Sequence, residues 1–300
     1  MSTRSIGVLM GGPDAERPVS IKSGHAVAKA LTASGWSVAE HIIDRITGPE
    51  LAALSGSIVF PVLHGPWGEG GDLQILLESD GRPYVGSPPK AAATCMDKDR
   101  TKTIAASLGI ATPDWALLRQ PEPCPLRPPV VIKPHADGSS IDLYLCDTQN
   151  EADAAVTTVI ESHGAALVER QITGREMTVG IVNGQALPLI EIVPACGVYD
   201  FAAKYDRDDT QYLVNPSVNQ DAAATMVEAA LTLCQEVGAR DIARVDFLLD
   251  ENGPWLLEVN TMPGFTSHSL LPMAASAHGW DMPRLCDRLA HAAIARTITD

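Results

Sequence analysis

The sequence predicts an α/β (α+β) protein, and three observations carry that expectation. A short apolar run at residues 5–10 leads through Gly11-Gly12-Pro13 into a helical pattern over residues 18–33, with a second apolar run at 57–63; this reads as the opening of a parallel βαβ fold. Residues 244–260 read instead as an antiparallel hairpin, and residues 221–237 and 282–296 carry helical periodicity.

The first unit follows from turn and cap chemistry. Pro18 lies near the start of the first helix, where its missing N–H costs nothing, and Gly35 supplies the stop. No Gly-x-Gly-x-x-Gly follows the first strand, so a dinucleotide site of the usual kind is weakly supported. Glu16 and His64 are expected in the crevice beyond the strand ends. The chain turns at residues 87–90, and Met96-Asp97-Lys98 opens another helix, which marks the boundary of this unit. Residues 119–129 hold Pro121, Pro123, Pro125, Pro128 and Pro129, which excludes regular structure there. Val130-Val131-Ile132-Lys133 reads as a buried strand ending in a cation. The small-residue loop that follows, His135 to Ser140, offers backbone N–H groups that can cradle phosphate beside Lys133, and it suits a plain polar turn as well. Residues 167–170 and 176–181 read as strand edges. Residues 195–216 form an aperiodic segment carrying Tyr199, Phe201, Lys204, Tyr205 and Tyr212. Structureless segments beyond ~12 to 15 residues in compact domains are usually lids, binding loops or disorder, and the aromatics favour an ordered lid.

Composition narrows the function classes. With 300 residues, 45% of them hydrophobic and 20% charged, the chain can build ample core in two or three compact units. Lys plus Arg number 22 against 37 Asp plus Glu, a net charge of −15, which argues against a broad nucleic-acid surface or an anionic membrane as partner. A phosphate ligand must therefore be held by local cations, metal and backbone N–H groups. The six cysteines are scattered with no C-x-x-C and no signal peptide pattern, so reduced thiols in the cytoplasm are expected. No apolar run reaches the ~18 residues of a membrane span, and no pair of histidines has zinc spacing.

The hairpin at 244–260 is the most informative stretch. Side chains alternate faces along a strand, so Arg244, Asp246 and Leu248 share one side, as do Glu258 and Asn260 on the return strand. A two-residue turn at Asn252-Gly253 would pair Asp246 with Val259 and throw Glu258 to the opposite face. A three-residue loop of Glu251, Asn252 and left-handed Gly253 pairs Asp246 with Glu258 and Arg244 with Asn260, and this register is expected. Two carboxylates and an amide oxygen are hard ligands suited to magnesium shared with phosphate; the same residues also suit an ordinary salt-bridged hairpin. The segment 261–270 is rich in hydroxyls and turn formers and reads as a binding loop.

In this order the motifs resemble the D-alanine:D-alanine ligases of the ATP-grasp superfamily across essentially the whole chain. The resemblance is carried by Gly11-Gly12 with Ala15-Glu16-Arg17 and Val19-Ser20, Leu63-His64-Gly65 with Gly68-Glu69, Met96-Asp97-Lys98, and Gly138-Ser139-Ser140. Further along it is carried by Ala203-Lys204-Tyr205, Thr210-Gln211-Tyr212, Arg244-Val245-Asp246, Glu258-Val259-Asn260 and the Pro263-to-Leu270 loop. It implies a three-part ATP-grasp architecture: an N-terminal preATP-grasp, Rossmann-like domain at 1–90 with the first D-alanine site, a central subdomain at 91–175, and a C-terminal subdomain at 176–300 with metal site and lid. It implies an enzyme that joins two D-alanines through D-alanyl phosphate for peptidoglycan synthesis, or alternatively one that uses another acceptor such as D-serine or D-lactate.

The resemblance also implies roles. Lys98, Lys133 and Ser140 would hold ATP phosphates, with the loop through Ser139 covering them. Glu169, Arg170, Ile172 and Leu257 would surround adenine, and Glu176 would accept from ribose. Asp246, Glu258 and Asn260 would bind two magnesium ions, for which manganese can substitute. Glu16 would hold the first ammonium and link to Ser139 and Tyr205, with His64 and Lys204 also at the substrates. Arg244 and the Gly264 N–H would meet the oxyanion, and Ser269 with the Leu270 N–H would hold the second carboxylate. A homodimer is implied too. The chain departs from the family pattern in having Arg170 in place of lysine, Asp142 in place of glycine, Gly70-Gly71-Asp72 after Glu69, and a shorter proline-rich connection.

Overall fold

The computed structural model describes residues 5–138, 141–194 and 209–296. Its first strand, β1 (Ser5–Gly11), is almost wholly buried, as a parallel strand covered on both faces must be. It pairs in parallel with β2 (Ser37–Ile43) and β3 (Ile58–Pro61), in the order β2-β1-β3. Between the first two strands runs helix α1 (Arg17–Ala33), which has Glu16 as its N-cap and a proline in its first turn. Gly24 of α1 permits close contact with β1, because a Cβ there would lie 2.5 Å from the Met10 Cβ. Short helices α2 (Gly48–Ala53), α3 (Gly65–Glu69) and α4 (Asp72–Asp80) follow. Helix α5 (Pro89–Met96) then abuts α6 (Lys98–Ser107), whose Asp97 cap accepts from the Arg100 N–H at 3.2 Å.

A four-stranded antiparallel sheet comes next, with β4 (Trp115–Leu118), β5 (Val130–Pro134), β6 (Tyr144–Cys146) and β7 (Ala166–Arg170) in the order β4-β7-β5-β6. Helix α7 (Gln149–His163) covers it, opened by a Thr148/Glu151 capping box and closed by left-handed Gly164. The strand at 167–170 was expected at an edge; it lies inside, paired on both sides.

The largest sheet is antiparallel, with β8 (Arg175–Val182), β10 (Ile190–Val193), β11 (Gln211–Val214), β12 (Ile242–Asp250) and β13 (Gly253–Asn260) in the order β11-β10-β8-β12-β13, and with β9 (Gln185–Ala186) on β8. Here too β8 is interior rather than an edge. Strand β11 corrects the expectation of aperiodic chain through residue 216, since Tyr212 and its neighbours find a pairing partner in β10. Helix α8 (Gln220–Val237) packs on this sheet, while α9 (Leu270–Ala277) and α10 (Met282–Arg296) close the chain. The last two do not make a separate unit. Their apolar faces share one core with α1, β1 and β3, so the first strand and the last helix are buried together.

The hairpin register is right, but for a different reason than expected. Asp250 pairs with Gly253, which leaves a two-residue turn at Glu251-Asn252. That turn alone would set Asp246 opposite Leu257. A β-bulge between the Asp246 and Phe247 pairings absorbs Leu257 as an extra residue, so Asp246 meets Glu258 and Arg244 meets Asn260.

Candidate active site

The large sheet and the four-stranded sheet enclose a cleft of about 450 Å³. Lys98, Lys133, Glu169, Arg170, Ile172, Glu176, Arg244, Asp246, Leu257 and Glu258 all line it, so most of the residues assigned to nucleotide and metal come together. The bulge explains why Leu257 and its neighbour Glu258 both face the cleft where strict alternation would separate them.

On the cleft floor, β12 lies between β8 and β13, and the ladder sets Thr178 and Glu258 on either side of Asp246. Arg244 grips Asp246 bidentately, with Nε 2.9 Å from Oδ1 and Nη2 2.7 Å from Oδ2. The Asn260 amide donates to Asp246 Oδ2 at 3.1 Å, and the Thr178 hydroxyl donates to Oδ1 at 2.6 Å. Thr178 was missed by the sequence reading; its place two residues after Glu176 on the same strand face was the available signal. Glu258 lies 3.2 Å from the Lys98 ammonium. Among the described residues no three His, Cys, Asp or Glu side chains converge on a point. The donor set still fits a hard divalent cation that completes its shell with phosphate oxygens, because two carboxylates and an amide oxygen are hard ligands set side by side on paired strands, where a cation would take over contacts that Arg244 and Lys98 now make.

The side of the cleft formed by β5, β7 and α6 is strongly charged. Lys98 Nζ donates to the Asp137 carbonyl at 2.5 Å, anchoring the loop after β5. Glu169, expected beside adenine, lines the cleft and turns its oxygens to two lysines, Lys133 at 2.5 Å and Lys102 at 2.5 Å. Burial alone would raise the Glu169 carboxyl, but the two ammonium groups outweigh it and bring it down to about 2. Arg170 turns its guanidinium over the Trp255 ring, 4.8 Å from the centroid, with Asp114 at 3.5 Å. The guanidinium thus makes a cation–π contact with the indole at this position. Asp142, the other departure, adopts a left-handed φ of 50° and is held by His163 Nε2 at 2.7 Å. His163 Nδ1 also lies 3.5 Å from Asp137, so one imidazole ties together both flanks of the loop.

The second crevice opens where β1 and β3 end. Glu16 and His64 are both buried and electrostatically coupled, and Arg244 of the cleft floor acts on His64 as well. His64 Nδ1 donates to the Met262 carbonyl at 3.0 Å. Burial pushes this imidazole down, so it is neutral with Nε2 unprotonated, and that nitrogen has no partner among the described residues. Glu69, quoted in a motif without a role, is the unexpected member. Burial, with Glu16 nearby, raises its carboxyl to about 8, although the Gly65 and Met262 N–H groups pull the other way. Glu69 therefore holds a proton at neutral pH, and the crevice avoids two adjacent carboxylate charges.

The loop from Met262 to Leu270 closes this crevice. A Cβ on Gly264 would lie 2.8 Å from the Ser269 hydroxyl, so a larger residue there would make Ser269 turn away from its present position. Ser269 Oγ accepts from the Thr266 N–H at 2.9 Å and caps the loop just before α9. The Leu270 N–H falls in the first turn of α9, where no intrahelical acceptor exists and an anion is favoured. The expectations for Ser139, Ser140, Lys204 and Tyr205 lie outside the described residues.

Similarity to known proteins spans the same residues. The family described as D-ala D-ala ligase C-terminus matches residues 104–291. The chain is 37% identical over 299 residues to a D-alanine–D-alanine ligase of Syntrophotalea carbinolica, covering 99% of this chain and 98% of that one. It is 40% identical over 284 residues to a D-alanine–D-alanine ligase of Aquifex aeolicus, covering 93% and 97%. The crystal structure of the Bacillus anthracis D-alanine–D-alanine ligase complexed with ATP matches at a TM-score of 0.86 and 32% identity, covering 98% of each chain.

Proposed function

The chain belongs to the D-alanine–D-alanine ligase family, and on that premise we propose how its residues divide the reaction. The enzyme binds ATP and joins two D-alanine molecules into D-alanyl-D-alanine, releasing ADP and phosphate, for peptidoglycan precursor synthesis. A carboxylate is a poor acyl donor, so the first D-alanine attacks the γ-phosphate and becomes an acyl phosphate with a good leaving group. Two anions meet in that step, and in our reading Lys98 and Lys133 offset their repulsion. Magnesium held by Asp246, Glu258 and Asn260 would supply further positive charge to the triphosphate when bound. Glu16 receives the first ammonium, beside neutral His64 and protonated Glu69. The second amine then attacks, and its tetrahedral oxyanion is met by Arg244, already oriented by Asp246, and by the Gly264 N–H. Ser269 and the Leu270 N–H hold the second carboxylate at the helix start.

We assign residues 1–90 to the first D-alanine, 91–175 to covering the nucleotide, and 176–300 to the metal and lid. We further place the enzyme in the cytoplasm as a homodimer. The five described cysteines are buried free thiols, which suit a reducing compartment, and no described helix is long and apolar enough to cross a membrane.

The observation that carries the mechanism is the ladder pairing of Asp246 with Glu258 and of Arg244 with Asn260 on the cleft floor. ADP release with D-alanine alone, and with D-serine or D-lactate added, tests it. Turnover with D-alanine alone is expected, and Asp246→Asn or Glu258→Gln should lower kcat by about 100-fold or more. Turnover only with another acceptor would replace the substrate assignment, and full activity of both variants would remove the metal assignment.

A further inference from the structure

Lys102 is wholly buried, yet it carries an ammonium and lies outside the set of cleft-lining residues. It stands one helical turn beyond Lys98 on α6, so both lysines project from one face of that helix. Its Nζ lies 2.5 Å from Glu169 Oε1 and 2.6 Å from the Thr112 hydroxyl, with the Trp115 ring centroid at 5.7 Å. The Thr112 hydroxyl in turn donates to the Leu256 carbonyl at 2.8 Å, on the strand that bears Glu258. On the opposite side of Glu169, Oε2 lies 2.5 Å from Lys133 Nζ. A single buried carboxylate therefore sits between an ammonium that lines the cleft and one that cannot reach it.

We propose that Lys102 is a positioning residue of the nucleotide site, neutralising Glu169 from behind so that Lys133 keeps an uncompensated positive charge for the triphosphate. Within this triad two ammonium groups against one carboxylate leave one positive charge, which only Lys133 can present to a ligand; Glu258, which also acts on Lys133, has Lys98 as its own partner at 3.2 Å. Without Lys102, Glu169 and Lys133 form a closed neutral pair. Lys133 must then leave a buried anion before it can bond phosphate, which is costly where water is scarce. Burial depresses the Lys102 ammonium against the pull of Glu169, while Glu169 and Glu258 outweigh burial at Lys133 and raise it. The inference rests on the nucleotide reading of the cleft, and its test separates the two.

ADP affinity is measured by calorimetry, and KM for ATP and for D-alanine by steady-state kinetics. Lys102→Met should weaken ADP and raise KM for ATP by about 10- to 100-fold, in keeping with one charge-assisted bond, while KM for D-alanine stays unchanged. Adding Glu169→Gln to Lys102→Met should recover most of that loss, because Lys133 is then freed. A purely structural role would instead be made worse by the second change. Unchanged ADP affinity in Lys102→Met overturns the proposal. Should Lys102→Met not fold, as judged by circular dichroism, the double variant is compared with Glu169→Gln alone: equal ADP affinity supports the proposal, and a further tenfold loss overturns it. Lys133→Met, run in parallel, should lose ADP binding; if it does not, the phosphate reading of the cleft fails independently of Lys102.

Discussion

Asp246 shows how much of the site was legible residue by residue. The alternation of Arg244, Asp246 and Leu248 placed it on one face with its partners, and the structure adds the Thr178 hydroxyl and the bidentate Arg244 that fix its rotamer. Glu69 was not legible, because nothing in its local sequence reports that helix α3 will bury it against Glu16 and the Met262 loop. Its ionisation yields a pH prediction. The folded-state value of about 8 lies above the ordinary carboxyl value of 4.5, so the native state holds a proton that the unfolded chain has lost between those limits. The contribution of Glu69 to stability is therefore fully present below pH 4.5 and is lost as pH rises toward 8. Glu69→Gln should flatten this slope. Thermal melts of the two proteins at pH 5 and pH 8 would reveal it, and parallel pH dependences would refute the assignment.

At the scale of elements, pairing was easier to read than its cause. The expected partners of the β12–β13 hairpin were correct, but the Glu251-Asn252 turn and the bulge at Leu257 replace the expected three-residue loop. A sequence fixes the parity of a strand's faces, and either a longer loop or a bulge restores that parity, so the choice between them is left to the neighbouring strands. Helix α1 makes the complementary point. Its helical pattern was plain in the sequence, whereas its depth on β1 depends on Gly24. Gly24→Ala would gain helix propensity of about 0.5–1 kcal/mol, but the added Cβ would lie 2.5 Å from Met10 Cβ, which is under any real contact. Overpacking of this kind costs about 1–3 kcal/mol. We expect a net fall in the midpoint of thermal unfolding and a raised KM for D-alanine, since α1 carries Glu16 at its cap. A variant as stable as the parent would show that the helix moves away without cost.

At the scale of the whole molecule, the parallel-sheet unit and the large sheet are brought together by contacts distant in sequence. Asp241, at the start of β12, accepts from the Gly86 N–H at 2.8 Å and from the Arg296 guanidinium, while Arg296 also donates to the Tyr84 carbonyl at 2.8 Å. This knot joins the end of the first unit, the large sheet and the last helix. Arg296→Ala leaves a buried carboxylate with one partner fewer, and a destabilisation of about 2–4 kcal/mol is expected. Denaturant titration measures it, and a cost below about 0.5 kcal/mol would mean that the knot closes in some other way. The sequence by itself determined the identity and order of the strands and helices that bear the chemistry, because face alternation, caps and turn residues act over a few neighbours. Only the tertiary structure decided that Glu169 would be wrapped by two lysines, that Glu69 would keep its proton, and that the first strand and the last helix would share one core. Those outcomes depend on desolvation and on charges meeting across elements far apart in the chain, a property of the packed molecule that no local pattern encodes.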